Sequence, residues 1–190
     1  MAKKEYRNAA RSKAKIRSAF SALLEQGKDP EKITVSELVK EAGVNRGTFY
    51  NHYRSIEEVS EDVESALREE LAALFSRIGD GTHSKESILR SLTLYFAKKE
   101  GRFSSLCRYS PHRGFWLIRR DLADALSKRR EQIGLPPMDP LRASFLVDGI
   151  VGLYVEYFSG LLPHASLSSL EKAALLAWEE FERAPAPAVV

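Results

Sequence analysis

The sequence predicts an all-α fold, and three observations carry that expectation. Apolar residues recur at spacings of three and four along most segments, helix-capping patterns punctuate them, and no run alternates apolar and polar residues as a half-buried strand would. The expected organisation is a three-helix N-terminal domain over 1–55, a helical body over 56–183 and a disordered, proline-containing tail over 184–190.

Each element follows from local signals. Ile16, Phe20, Leu23 and Leu24 form the apolar face of a first helix that should stop near Gly27, and Asp29-Pro30 marks a turn. Thr34-Val35-Ser36-Glu37 reads as a capping box that opens a short helix with Leu38 and Ala42 on its inner face. Gly43-Val44-Asn45 then turns the chain, and Asn45 should cap a helix Arg46–Tyr53. Ser55–Glu58 is a second capping box. It precedes a long stripe of Ile56, Val59, Val63, Leu67, Leu71, Leu74 and Ile78, closed by Gly79-Asp80-Gly81. Further helices are expected over residues 84–100, 102–109, 112–133, 139–163 and 168–183. Asp139-Pro140 supplies a cap and a first-turn proline, and Ser168-x-x-Glu171 a third capping box.

Composition narrows the function classes. The chain has 190 residues, 44% of them apolar and 29% charged, which is ordinary for a globular protein. One cysteine, Cys107, allows no internal disulfide and fits a reducing cytoplasm, the expected location; it is also a candidate redox sensor. The longest apolar stretches are broken by Asp148 and Glu156, so no membrane partner is expected. Met1–Ala22 is basic and acid-poor like a transit peptide, but it runs without a break into the first helix.

Catalysis finds little support. His52, His83, His112 and His164 are scattered without metal-ligand spacing, and there is no Gly-rich phosphate loop or nucleophile elbow. The paired acids Glu57-Glu58 and Glu179-Glu180 fall on outward helix faces. The expectation is a protein that is not an enzyme, with no cofactor and no metal.

Charge points elsewhere. Residues 1–55 carry 12 Lys and Arg against 6 Asp and Glu, whereas 56–190 carry 17 against 20. A basic first quarter on a mildly acidic body suggests a polyanion partner for that quarter alone. The block Thr34–Tyr53 supplies the means: two short helices joined by a glycine-containing turn form a helix-turn-helix, whose second helix enters the DNA major groove. Val44, Phe49 and Tyr53 can pack inward, leaving Arg46, Gly47, Thr48, Tyr50, Asn51 and His52 outward. Arg46 suits a guanine edge or a phosphate and Asn51 an adenine; Thr48, Tyr50 and His52 suit phosphate or base. Gly47 lets the helix start approach the DNA backbone, and that helix end favours an anion. Asn45 serves as cap or base reader. Lys13, Lys15 and Arg17 can neutralise phosphates from the first helix, and Thr34 can add a hydroxyl.

The run AGVNRGTFYNHYRSIEEV resembles the signature of the tetracycline-repressor (TetR) family, with the resemblance covering about residues 10–62. Gly-Val closes one helix, a cap, a basic residue and Gly-Thr follow, and an aromatic-rich stretch leads to the next cap. One departure stands out. Family members often carry a phosphate-contacting lysine just inside the fourth helix, where this chain has Ile56, with Arg54 two residues earlier as a substitute.

The resemblance implies a homodimer that binds a double-stranded DNA operator through this head and often receives a small-molecule effector in its body. Phe145–Leu162 is apolar nearly all round, and Leu170, Ala174, Ala177, Trp178 and Phe181 form a second stripe. A dimer interface through Phe145, Ile150, Leu153, Tyr157, Leu170, Ala174, Trp178 and Phe181 is therefore expected, with Gly149 and Gly152 permitting close approach. Aromatic residues cluster between Tyr95 and Trp116. They fill an ordinary core or line a pocket, whose expected walls are Phe96, Phe103, Tyr109, Trp116 and Tyr154, suited to an apolar effector. Effector binding would release a repressor by tilting the helix 56–78 and changing the spacing of the two reading heads, set at about 34–36 Å by the DNA repeat. The alternative is a TetR-like co-regulator whose effector is a partner protein.

Overall fold

The computed structural model describes residues 2–183, with side chains for 7–110 and 118–183. The tail 184–190 and the side chains of Lys3, Lys4, His112, Phe115 and Trp116 lie outside the described residues. Every regular element within them is helical: α1 (Ala2–Glu25), a single 3-10 turn at Pro30–Lys32, α2 (Val35–Ala42), α3 (Arg46–Tyr50), α4 (Ile56–Gly79), α5 (Lys85–Lys98), α6 (Glu100–Tyr109), α7 (Pro111–Gln132), α8 (Pro140–Phe158) and α9 (Leu167–Arg183). The fold is all-α, as the periodicity predicts. Among the described residues no helix is long and apolar enough to cross a membrane.

Caps set most boundaries. Thr34 accepts from the Glu37 amide at the start of α2, Asn45 from the Thr48 amide at 2.7 Å at the start of α3, and Asp139 from two amides at the start of α8. Gly43 ends α2 at φ +60°, and its conformation lets the Val44 amide reach back to the Val39 carbonyl at 3.0 Å.

Three expected boundaries move. The helix α3 stops at Tyr50 instead of Tyr53, because the His52 and Tyr53 amides both turn back to the Phe49 carbonyl. The end of α8 is Phe158, not residue 163: Gly160 at φ +79° closes it, with Leu161 bonded to the Glu156 carbonyl at 2.9 Å. The start of α9 is capped by Ser166, two residues before the expected Ser168. Ser166 accepts from the Ser169 amide while Ser169 Oγ accepts from the Ser166 amide, a reciprocal box with serine in the usual glutamate position.

The chain divides into two compact units, one reaching to Leu67 and one beginning at Arg68, so the boundary falls inside α4 instead of at residue 55. The cause is packing. Val59 and Val63 of α4 are buried in the first core with Ile16, Phe20, Leu24, Leu38, Phe49 and Tyr53. Farther along α4, Phe75 takes the buried position expected for Leu74. In the second unit α8 packs on α6, α7 and α9, and α5 packs on α9.

A polar knot reinforces the first unit. Tyr53 Oη donates to Asp62 Oδ2 at 2.6 Å, Lys13 Nζ lies 3.1 Å from the same oxygen, and Arg17 Nε is 3.9 Å away. The Lys13 ammonium also sits over the Tyr53 ring, 5.4 Å from its centroid. Partial burial acts to raise the Asp62 pKa, but the hydrogen bonds from Tyr53 and Lys13 and the charge of Arg17 hold it below the ordinary carboxylate value. Burial first, and then the bond to Asp62, push the Tyr53 phenol up.

Because the folded pKa of Asp62 is lowered, its contribution is complete above the ordinary carboxylate pKa and is lost as pH falls through the lowered value. Asp62→Asn should cost about 0.5–1 kcal/mol near neutrality, the range for partly exposed ion pairs. The difference from wild type should shrink between about pH 5 and pH 2. Thermal melts across that window check it; a difference independent of pH would mean the Asp62 charge contributes nothing.

Candidate nucleic-acid interface

Two surfaces of the first unit meet at an open groove. Asn8, Arg11, Ser12 and Lys15, spaced along one face of α1, stand opposite Gly43, Val44, Asn45 and Thr48 of the turn and the start of α3. Arg11 and Lys15 are exposed and make this groove cationic. Lys13 and Arg17 are not part of it: both are held by Asp62, which offsets their charge and leaves Lys15 alone of the three α1 cations expected to neutralise phosphates.

The short α3 is amphipathic in the expected sense. Phe49 is wholly buried, Tyr53 nearly so, and Val44 packs against the same core. On the outer side Arg46, Gly47, Tyr50, Asn51 and Arg54 are exposed, Tyr50 at 56% with its ring edge-on to Phe49. Thr48 is half-buried at the groove wall. A methyl group added at Gly47 would meet nothing of this chain nearer than Asn45 Oδ1 at 3.4 Å, so packing within the chain does not demand a glycine there. At five residues, α3 has too small a dipole to carry the expected anion preference of its N-terminus.

Several expected contact residues have structural duties. The side chains of Asn45 and Thr34 cap α3 and α2. His52 Nε2 lies 2.7 Å from Ser12 Oγ. Ser12 Oγ also lies 3.0 Å from each of the Asn8 and Ala9 carbonyls, so it joins His52 to the α1 backbone. The Arg54 amide donates to Glu58 Oε2 at 2.6 Å, tying the start of α4. Ile56 is half-buried against the first core, so it supplies packing where a lysine would supply charge.

The fold also brings in residues that the sequence did not single out. Arg46 Nη2 bonds Ser36 Oγ on α2, and Ser12 and Asp62 hold His52 and Tyr53 just after α3. Ser36 lies ten positions before Arg46, and Asp62 sits on the polar side of α4. No periodicity or local motif marks any of the three.

In the second unit, the expected aromatic set separates. Phe96 and Tyr154 line an apolar cavity of about 20 Å³ together with Phe75, Ile78, Leu126 and Trp178. That is room for about one water molecule. Phe103 packs behind Phe96 at 4.8 Å between centroids and Tyr109 is exposed, so neither lines this cavity. Cys107 is buried, and burial pushes its thiol up to about 12, which suppresses the thiolate that a redox sensor needs.

The expected interface set separates likewise. Ile150, Leu170, Ala174 and Trp178 are buried within this chain and cannot meet a partner, a correction to the expected stripe. The reason is that α8 and α9 turn these residues onto each other and onto α5 and α7. Phe145 is 73% exposed, while Leu153, Tyr157 and Phe181 are half-buried. The outer apolar face is completed by Leu141 at 81% and Leu176 at 62%, with Leu161 in the loop after α8. A side chain added at Gly149 or Gly152 would meet no atom of this chain.

Comparison with known proteins follows the geometry. A family of unknown function, DUF6262, matches residues 4–93, just under half of the chain. No curated protein matches it by sequence. Among solved structures, a TetR transcriptional regulator from Streptococcus agalactiae 2603V superimposes with a TM-score of 0.62 at 23% identity, over 93% of this chain and 98% of that one. FadR of Thermus thermophilus, a TetR-family transcriptional repressor solved in complex with lauroyl-CoA, gives 0.58 at 24% identity over 94% and 99%. The dihydroxyacetone kinase operon activator DhaS gives 0.63 at 18% over 90% and 96%. The likeness extends over both units, and the fold of this chain is that of the TetR-family transcriptional regulators.

Proposed function

We propose that the protein is a homodimeric transcriptional regulator that binds double-stranded DNA. The observation that carries this reading is the sidedness of α3. Phe49 and Tyr53 anchor one side in the core, while Arg46, Tyr50 and Asn51 stand exposed beside the cationic groove of Arg11 and Lys15. Lys15, Arg54 and the Thr34, Thr48 and Tyr50 hydroxyls position phosphates; Arg46 and Asn51 read base edges. His52 and Asn45 hold the reading segment and reach DNA only through what their structural bonds leave free.

The regulator acts as a repressor released by a small apolar effector. FadR, a repressor, supports this sign, whereas DhaS is an activator, so the fold accommodates both. The lauroyl-CoA held by FadR and the apolar cavity between Phe96 and Trp178 support an effector received in the second unit. A cavity of about 20 Å³ must widen to take one, and this small volume favours the second reading, in which the effector is a partner protein. Titrating small apolar compounds against the DNA complex separates the two.

Dimerisation is assigned to the outer face of α8 and α9. Leu141, Phe145 and Leu176 would otherwise leave large apolar surface in water, and Gly149 and Gly152 leave α8 open to close approach by a second copy.

Two predictions follow from these surfaces. Against a DNA sequence selected from a random pool, Arg46→Ala should lose about 1–3 kcal/mol of binding. Gly47→Ala should also bind more weakly, while its fold gains up to about 1 kcal/mol from the better helix former. Fluorescence anisotropy and circular dichroism measure both; unchanged affinity in Arg46→Ala would remove α3 from recognition. Phe145→Glu should convert dimers into monomers in sedimentation, with each reading head still folded. A wild type that sediments as a monomer at micromolar concentration would overturn the interface.

A further inference from the structure

Arg129, on the last turn of α7, is 7% exposed, the most deeply buried basic residue among those described. Three partly buried cations of the second unit pair with carboxylates, Lys99 with Glu70, Arg119 with Asp148 and Lys85 with Glu182, while the less buried Arg130 and Arg142 donate to the Pro136 and Phe181 carbonyls. Arg129 has none. Its partners are the His83 carbonyl, to which Nη1 donates at 2.8 Å, and the face of Trp178, whose ring centroid lies 5.7 Å from Cζ. Nε is buried with no hydrogen-bond partner. The exposed Glu86 feels its charge without pairing with it, and Glu182 is occupied by the Trp178 indole N–H and Lys85.

A buried guanidinium is costly unless an anion or a full set of acceptors meets it. The C-terminal end of α7 and the Trp178 face offset part of that cost. They leave unused the side-on fork of Nε and Nη2, the edge that fits a carboxylate bidentately. The location is specific. Trp178 is itself a wall of the apolar cavity, and Leu126, another wall residue, lies one helical turn before Arg129.

We infer that the second unit takes an amphipathic carboxylate: an apolar body in the widened cavity between Phe96 and Trp178, and a carboxylate on the Nε–Nη2 edge of Arg129. This rests on reading the second unit as the effector-receiving body, and it replaces a purely apolar effector by an anionic one. The ligand binds a conformation in which the cavity is larger, and Trp178, which lines the cavity and touches the guanidinium, is the side chain whose shift would open one to the other.

The test is calorimetric titration of the full-length protein with decanoate and 2-naphthoate, each against its neutral primary alcohol. Wild type should prefer the carboxylates by about tenfold or more, the order expected for a charge-assisted bidentate pair. Arg129→Met, which keeps length without charge, should bind acid and alcohol alike, with alcohol affinity unchanged. If that variant does not fold, Arg129→Lys, which keeps charge without the fork, should retain less than half of the carboxylate preference. No carboxylate binding, equal binding of acid and alcohol by wild type, or a preference that survives these substitutions overturns the inference. DNA affinity, measured separately without ligand, distinguishes the two readings. Intact DNA binding without carboxylate preference sinks this proposal alone, and the reverse outcome sinks the regulator.

Discussion

A helix of five residues does not hold itself together in water, because the cost of nucleating it is not recovered over so few hydrogen bonds. The first unit is organised around that constraint. The helix α3 persists because Asn45 caps its start, Phe49 is sunk in the core beneath it, and the segment that follows is tied at two points, His52 to Ser12 and Tyr53 to Asp62. Each tie runs to a different long helix, α1 for His52 and α4 for Tyr53. The exposed surface of α3 is therefore held from both long helices. Arg46 and Tyr50 remain exposed while these supports, rather than burial of their own side chains, hold α3.

The same supports explain why charge alone misjudges the surface. The basic first quarter has an excess of cations, yet Lys13 and Arg17 are drawn to Asp62 and serve the fold. Arg11 and Lys15, on the groove side, are exposed and give the groove its positive charge. A net charge gives the sign of the field; only the pairing shows which cations are available to a partner.

The second unit shows the opposite balance. Its interior is closely filled, with Phe96, Phe103, Tyr154 and Phe158 in mutual ring contact and a residual cavity no larger than a water molecule. Its departures from ordinary packing are the buried Arg129 without a carboxylate and an outer α8–α9 face with large apolar side chains in the open. Both have the form of incomplete surfaces, one suited to a small anion and the other to a second copy. The solved structures of similar fold include one repressor and one activator, and a shared scaffold does not carry the direction of control.

Much of this was legible in the sequence. The all-α class, the order of the helices, the caps at Thr34, Asn45 and Asp139, and the inward placement of Phe49 and Tyr53 follow from periodicity and capping chemistry, which act within a turn or two of chain. Local physics could not decide what depends on distant partners. The end of α3 at Tyr50, the inclusion of Val59 and Val63 in the first core, and the loss of Lys13 and Arg17 to Asp62 each turn on a contact between separate helices. On α8, Phe145 and Ile150 read alike as apolar positions of one helix, yet one is open and the other buried. Periodicity shows that a helix has an apolar side, but a helix apolar nearly all round has no inner face until its neighbours supply one. For the same reason nothing local in the sequence marks Arg129, which becomes a buried cation only through the packing of α7 against its neighbours.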